Sequence, residues 1–151
     1  MRLTVFSDYT LRVLLYLGIR GKELSTIADI AAAYDISKNH LMKVVNELSA
    51  QGYVETVRGK GGGLRLKVPP AQIPIGAVLR RTEADTVLVE CFDEKTSECV
   101  IEPVCLMRGV FRQAREAFYQ VLDQHTLADL LRPRERLAAV LFRPASRAKV
   151  G

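Results

Sequence analysis

The first 50 residues carry apolar positions at the spacing of three helices, each preceded by a residue that favours a helix start. We predict helices over residues 7–20, 26–33 and 37–50, with Ser7, Thr26 and Ser37 as their N-caps. In the third helix the apolar residues recur at intervals of three and four and define one buried face: Leu41, Val44, Val45 and Leu48. The short turn between the last two helices predicts a helix-turn-helix.

Two β-rich segments follow, at residues 53–57 and 64–68, and the glycine-rich stretch 58–63 joins them. In the second segment apolar and basic residues alternate, which is typical of a strand with one buried face. Three helices followed by a hairpin predict a mainly α chain with a winged helix over residues 1–70.

The second half of the chain begins after a cluster of prolines, Pro69, Pro70 and Pro74. We predict a short helix over 75–81, a polar loop over 90–103, a long helix over 104–122 and a short helix capped at 126–129. Residues 71–132 therefore form a second unit, and residues 133–151 are expected to be a loosely ordered basic tail in which 137–142 can form a helical turn or two.

The long helix carries two apolar stripes, which predict two packing partners. Phe111, Phe118 and Leu122 form one stripe. The members of the other are Met107, Val110, Ala114, Ala117 and Val121. Because the small alanines allow close approach, we expect the second stripe to pair with another copy of the chain in a homodimer.

Charge is distributed unevenly along the 151 residues, whose net charge is +5. Residues 1–70 carry +4, residues 71–130 carry −4 and residues 131–151 carry +5. A basic first half predicts a polyanionic partner. The sequence has no apolar run of membrane-spanning length and no secretory signal pattern, so we expect a cytoplasmic protein that does not enter a membrane.

Polar residues at the start of the third helix occupy the positions from which a helix-turn-helix reads the major groove of double-stranded DNA: Lys38, Asn39, His40 and Lys43. Arg58 and Lys60 at the hairpin tip are placed to contact the DNA backbone or a minor groove. The alternative is an ordinary solvated helix face. The glycines at 59–63 do not form a phosphate-binding loop, since a strand rather than a helix follows them.

Three cysteines, Cys91, Cys99 and Cys105, lie within 15 residues. An odd number of cysteines argues against a disulfide framework, and their spacing matches neither a paired zinc site nor a thioredoxin-like motif. Three thiolates on one loop fit an iron-sulfur cluster whose fourth ligand comes from elsewhere, with Asp8, a histidine or a loop glutamate as candidates. Unrelated reduced thiols are the alternative, and His125 is expected to be a surface residue.

The sequence resembles the dimeric bacterial winged-helix regulators with a three-cysteine iron-sulfur loop, which include IscR, RirA and NsrR. The resemblance covers residues 1–132 and looks most like the NsrR type. It is carried by MRLTVFSDY at residues 1–9, SKNHL at 37–41, GYV at 52–54, VRGKGGG at 57–63 and the segment 119–130 that ends in TLADL.

The resemblance implies a transcriptional repressor with a [4Fe-4S] cluster held by Cys91, Cys99 and Cys105 of one subunit and Asp8 of the other. Nitric oxide is the implied signal, since nitrosylation of the cluster releases the repressor from an imperfectly palindromic operator. Arg108 stands where IscR-like members have a histidine, which disfavours their [2Fe-2S] site. A [2Fe-2S] cluster is kept only as an alternative or as a degradation form. The gap of seven residues between Cys91 and Cys99 is longer than the five common in this group.

Three other functions remain as alternatives. A regulator of the same family could respond to iron or cluster supply instead of nitric oxide. An enzyme with Cys105 as nucleophile lacks a convincing base and oxyanion site in the sequence, so we expect no enzyme. The third alternative is a dimerisation module without a cluster, in which the cysteines have no function. Asp8 would then act only as a favourable charge in the first turn of its helix.

Overall fold

The computed structural model describes residues 2–84, 87–93, 95 and 97–142. These residues form seven α-helices and one antiparallel hairpin. The elements are α1 (Val5–Arg20), α2 (Ile27–Tyr34), α3 (Lys38–Ala50), β1 (Val54–Val57), β2 (Gly63–Leu66), α4 (Ile75–Thr82), α5 (Leu106–Asp123), α6 (Leu127–Leu130) and α7 (Arg134–Leu141). The predicted winged helix-turn-helix and long helix are present.

Helix α1 begins earlier than the sequence predicted, and the N-cap prediction for Ser7 is wrong. Thr4 is the N-cap, and its side-chain oxygen accepts the Ser7 N–H at 3.1 Å. The Ser7 side chain is fully buried and donates instead to the Thr82 hydroxyl at 2.7 Å. Ser7 thus joins α1 to the end of α4.

Helices α2 and α3 begin at the predicted caps. Thr26 and Asp29 form a reciprocal capping box, and the Ser37 hydroxyl accepts the His40 N–H at 3.3 Å. Between the two helices, Asp35 adopts a left-handed conformation (φ 55°) that ends α2 within one residue. This tight turn fixes the start of α3 on the protein surface.

The hairpin pairs Val54 with Leu66 and Val57 with Gly63. At its tip Gly59 and Gly61 have positive φ values of 100° and 78°, which side chains rarely adopt. Strand β2 is held by two backbone hydrogen bonds between Ser25 and Leu64, at 2.7 and 3.0 Å. The wing is therefore anchored to the segment between α1 and α2.

A single core joins α1, α2, α3, the hairpin, α4 and α6. Helix α6 packs directly on α1, since a Cβ at Gly18 would lie 2.6 Å from a Leu131 methyl carbon. Among the described residues, the apolar ones with no exposed surface are Val13, Leu14, Leu17, Ile30, Leu41, Val44, Leu48, Ile73, Val78 and Leu127.

Helix α5 lies at the edge of this core and contributes no buried residue to it. Its Phe111, Phe118 and Leu122 stripe is half-buried, as expected for the side that packs on its own chain. The other stripe, from Met107 to Val121, is exposed. Gly76 on α4 permits the close approach of α5, because a Cβ there would lie 1.9 Å from an Asp123 oxygen.

The chain continues past residue 133 in a helix, where the sequence analysis expected a loosely ordered tail. On α7, Leu137 and Leu141 pack against the core, and Arg134 donates to the Gly18 and Ile19 carbonyls at the end of α1, at 3.2 and 2.5 Å. The rest of the predicted tail, residues 143–151, lies outside the described residues. None of the described helices combines the length and apolar character needed to cross a membrane.

Candidate DNA-reading face and cysteine loop

The first turns of α3 present four polar side chains to solvent. Lys38, Asn39, His40 and Lys43 are all exposed, while the apolar face of the same helix is buried. The four residues of α3 that the sequence predicted to contact DNA thus share one accessible surface.

The wing tip presents two further cations. Arg58 and Lys60 are exposed, and neither has an ion pair within the part of the chain that the structure describes. By contrast Arg65, within the hairpin, donates to Glu55 across the two strands at 2.5 Å. The two cations at the tip are therefore available to a phosphate backbone.

The start of α1 lies beside the reading residues of α3. The Tyr9 ring centroid is 6.0 Å from that of His40, and the two rings are inclined by 45°. An open groove of about 260 Å³ runs between the helices and is lined by Val5, Phe6, Tyr9, His40 and Lys43. Sequence reasoning missed this contact, because it joins residues 31 positions apart.

Asp8, the candidate cluster ligand, forms an ion pair with Arg12 at 2.9 Å. Both side chains are about half exposed, at 47% and 41%. The Arg12 guanidinium lies 6.0 Å from the Tyr9 ring centroid and 5.7 Å from that of Tyr34. Burial raises the pKa of Tyr34 to about 12, so Arg12 faces a neutral phenol near neutral pH.

The three cysteine thiols are free and half-buried. Cys91 lies in a 3₁₀ turn at Glu90–Phe92, and Cys105 is the N-cap of α5, where the sequence placed the helix start. Two consecutive turns connect the later cysteines: the Glu102 N–H donates to the Cys99 carbonyl at 3.1 Å, and the Cys105 N–H donates to the Glu102 carbonyl at 3.3 Å. Cys105 thus meets the positive end of the α5 dipole.

A hydrogen bond also joins the segments that carry Cys91 and Cys99. The Glu98 N–H donates to the Glu90 carboxylate at 2.8 Å, so the immediate neighbours of two cysteines are joined. Arg108, at the position that carries a histidine in IscR-like members, pairs with Glu102 at 2.9 Å. The Arg115 guanidinium lies 4.7 Å from the Phe92 ring centroid and connects the loop to α5.

The donor set suits a thiolate-bound iron-sulfur cluster, because three unoxidised cysteines share one loop. Across residues 2–84, 87–93, 95 and 97–142, no three His, Cys, Asp or Glu side chains converge on a metal-sized site. Asp8 lies on α1 with Arg12 as its ionic partner. His125 is exposed beyond the end of α5, as predicted.

Four consecutive residues at the end of α4 contact three other helices. Arg80 donates through both terminal nitrogens to Asp123 of α5, and Arg81 donates to Glu47 of α3 at 2.9 Å. The next two residues meet the start of α1: the Thr82 hydroxyl accepts from Ser7 at 2.7 Å, and the buried Glu83 carboxylate accepts the Thr4 N–H at 2.8 Å. We name residues 80–83 the α4 junction.

Charges at the α4 junction alter the acidity of their partners. The hydrogen bonds from Arg80 hold the pKa of Asp123 below its usual value. Hydrogen bonds from Gln51 and then Arg81 do the same for the pKa of Glu47. Both carboxylates are therefore ionised near neutral pH, and the junction keeps its ion pairs there.

Comparison with known proteins gives a consistent assignment. The family model Rrf2, described as "Iron-dependent Transcriptional regulator", matches residues 3–133. Two relatives are each named "HTH-type transcriptional regulator NsrR": one from Geobacillus kaustophilus is 53% identical and one from Bacillus subtilis is 51% identical. Each match covers 93% of this chain and 97% of the relative.

Among solved structures, "T. potens IscR" shares the fold at a TM-score of 0.72 and 22% identity, over 90% of each chain. Its similarity supports the winged-helix architecture, while the sequence relatives give the type of regulator. They are named as transcriptional regulators and not as enzymes, in agreement with the prediction. The chain therefore belongs to the Rrf2 family of transcriptional regulators and, within it, to the NsrR type.

Proposed function

We propose that this regulator is a homodimeric, cytoplasmic repressor of transcription that carries a [4Fe-4S] cluster and leaves its operator in response to nitric oxide. The observation that carries the proposal is the cysteine loop: three free thiols on a hydrogen-bonded segment that adjoins α5. Reduced thiols of this kind suit the cytoplasm, where disulfides are rare.

Cys91, Cys99 and Cys105 are the proposed cluster ligands, with Asp8 of the partner subunit as the fourth. When bound, a [4Fe-4S] cluster supplies iron that reacts with nitric oxide. Cys105 lies at the positive end of the α5 dipole, and the half-exposed Asp8 carboxylate is accessible to a second chain. Within one chain Arg12 neutralises Asp8, so ligation by Asp8 would require this ion pair to open.

The homodimer is supported by an apolar surface that a single chain leaves uncovered. Val100 is 92% exposed and Leu106 is 87% exposed, and the exposed stripe of α5 continues from Met107 to Val121. Apolar area of this extent next to a functional loop is typical of an interface. Small Ala114 and Ala117 at the middle of the stripe allow two α5 helices to pack closely.

DNA binding is assigned to the start of α3 and the wing. Asn39 and His40 are proposed to contact base edges, and Lys38 and Lys43 bases or phosphates. Arg58 and Lys60 are proposed to contact a minor groove or the backbone. Because a symmetric dimer presents two such faces, the operator is expected to be an imperfect palindrome with half-sites about one helical turn apart.

Contacts within the chain support a coupling between the cysteine loop and the residues of α3 that are proposed to contact DNA. The α4 junction ties α5 to α3 and to the start of α1, the helix that carries Asp8. We propose that movement of α5 reaches α1 and α3 through these bonds of α4. Two arrangements of these helices, one matched to DNA and one not, would give the repressor its switch.

Regulation by iron or by cluster supply is a second candidate, favoured by the words "Iron-dependent" in the family description. It uses the same ligands, with a [4Fe-4S] or [2Fe-2S] cluster, and differs in what removes the group. Operator binding measured during iron chelation and during nitric oxide titration separates the two candidates.

The proposal is tested by purifying the protein without air and measuring iron, sulfide and the visible absorption spectrum. We expect a coloured wild type with about four iron atoms per chain, no cluster in Cys99→Ser, and a less stable cluster in Asp8→Asn. Asp35→Asn, which changes an exposed aspartate at the α2–α3 turn, is the matched control and keeps the wild-type spectrum. A colourless wild type would refute the cluster.

A further inference from the structure

The DNA contacts proposed above do not explain why His40, in the first turn of α3, packs on a residue of another helix. His40 lies in the first turn of α3, where its backbone N–H is held by Ser37 and its side chain is exposed. The Tyr9 ring, 6.0 Å away, gives the imidazole its one aromatic contact among the described residues. An exposed histidine without such a neighbour would sample several rotamers.

Tyr9 is itself held by two further contacts. It is half-buried against the core, and the Arg12 guanidinium lies 6.0 Å from its ring centroid. Tyr9 also follows Asp8 directly in the sequence. Its ring therefore lies near both the Asp8–Arg12 ion pair and His40, one of the residues predicted to contact DNA.

We propose that Tyr9 is a positioning residue for DNA recognition, which orients His40 so that the imidazole meets a defined base pair. The groove beside it, lined by Val5, Phe6 and Lys43, leaves room for the imidazole to rotate when Tyr9 is absent. Loss of the ring therefore weakens sequence discrimination, while phosphate contacts from Arg58 and Lys60 persist.

This inference rests on the proposed DNA-binding function and extends it to a residue outside the helix-turn-helix. A contact between two aromatic rings contributes enough free energy to favour one rotamer, and its loss corresponds to roughly a two- to ten-fold loss of operator affinity. Binding to unrelated duplex DNA, which depends on phosphates, should change less than about two-fold.

The experiment selects preferred sequences from a random duplex pool with wild type, Tyr9→Leu, Tyr9→Phe and His40→Ala. We expect Tyr9→Leu and His40→Ala to lose discrimination at the same base pairs, and Tyr9→Phe, which keeps the ring, to retain it. In a double-mutant cycle on the selected duplex, Tyr9→Leu should cost less than about two-fold once His40 is alanine.

A spectroscopic measurement reports the contact without DNA. The chain has two histidines, so the proton NMR signal of His40 is identified by its loss in His40→Ala. The neighbouring ring should displace this signal in wild type and Tyr9→Phe but not in Tyr9→Leu.

Three results would overturn the inference. Tyr9→Leu could keep the wild-type sequence preference, its cost could be the same with and without His40, or the His40 signal could be unchanged by loss of the ring. If the wild type itself enriches no sequence, the proposed DNA-binding function fails, and the role of Tyr9 fails with it.

Discussion

The winged helix and helix α5 differ in how much of their apolar surface is buried within one chain. In the winged helix, side chains such as Leu14 and Leu41 have no exposed surface. In α5, an 18-residue amphipathic helix, no residue is buried. The comparison shows that the helices of the winged helix bury their apolar faces within one chain, with help from α4 and α6, whereas α5 leaves an apolar stripe uncovered for the second chain that we propose.

The same substitution in the two regions should give the largest contrast. Leu14→Ala opens a cavity in the core and should lower the free energy of unfolding by about 2–5 kcal/mol. Leu106→Ala, on the surface that a single chain leaves uncovered, should change that free energy by less than about 0.5 kcal/mol in the monomer. Urea unfolding of the cluster-free protein, at concentrations at which it is monomeric, measures both, and equal losses would mean that the two regions are equally buried.

A charge on the exposed stripe of α5 should break the proposed dimer. Val110→Glu would bury an unpaired carboxylate and should weaken association by about 3 kcal/mol, roughly a hundred-fold in the dissociation constant. Gln120→Glu places the same charge off this stripe and should leave association unchanged. Sedimentation equilibrium compares the two, and a Val110→Glu protein that still dimerises would exclude this stripe as the interface.

Two threonines at helix starts allow a comparison of smaller stability effects in the two regions. Thr26 caps α2 in the winged helix, and Thr126 caps α6 beside α5, with the same partner spacing. Thr26→Ala should cost about 0.5–2 kcal/mol of unfolding free energy, because the Thr26 hydroxyl accepts the Asp29 N–H. Thr126→Ala should cost less, because the Thr126 hydroxyl donates to the Asp129 carboxylate, which still accepts the backbone N–H of residue 126 in the variant. Equal costs in urea unfolding would contradict this difference.

Removal of one cation from the wing should have a modest and salt-dependent effect. Arg58→Ala should reduce the slope of log affinity against log salt by about 0.9 for one lost phosphate contact. Arg112→Ala, on the exposed polar side of α5, removes the same charge and should leave the slope unchanged. An unaltered slope in Arg58→Ala would place the wing away from DNA.

Acid should produce the smallest effect. The backbone and side-chain hydrogen bonds of Thr26 hold the pKa of Asp29 below its ordinary value of 3.8. Its contribution to stability is therefore complete above that value and is lost as the pH falls through the lower native pKa. Asp29→Asn should flatten the stability profile in this acid range, as followed by circular dichroism, and an unchanged profile would contradict the assignment.

Local rules in the sequence were sufficient for most of the winged helix. Thr26 and Ser37 are caps because their side chains bond within three residues, and the glycines of the wing satisfy a local backbone requirement. The two stripes of α5 follow from helical spacing alone. Where a signal and its partner lie within one turn, the predicted element is confirmed.

Non-local contacts account for what the sequence did not reveal. Ser7 and Thr4 are equally suitable caps by type, and the bond from Ser7 to Thr82, 75 positions away, decides between them. The arginine-rich tail after Pro133 was expected to be loosely ordered, with at most a helical turn or two over 137–142. Instead α7 is fixed to α1: Arg134 donates to the Ile19 carbonyl, and the Phe142 ring packs on Tyr16 at 5.2 Å between ring centroids. The Tyr9–His40 pair is of the same kind.

The central claim is tested most directly by operator affinity of the cluster-loaded protein, measured without air before and after nitric oxide is added. The account predicts that affinity falls at least about ten-fold after nitric oxide, as expected for a population shift of roughly 1.4 kcal/mol or more. Equal affinity before and after exposure would contradict it.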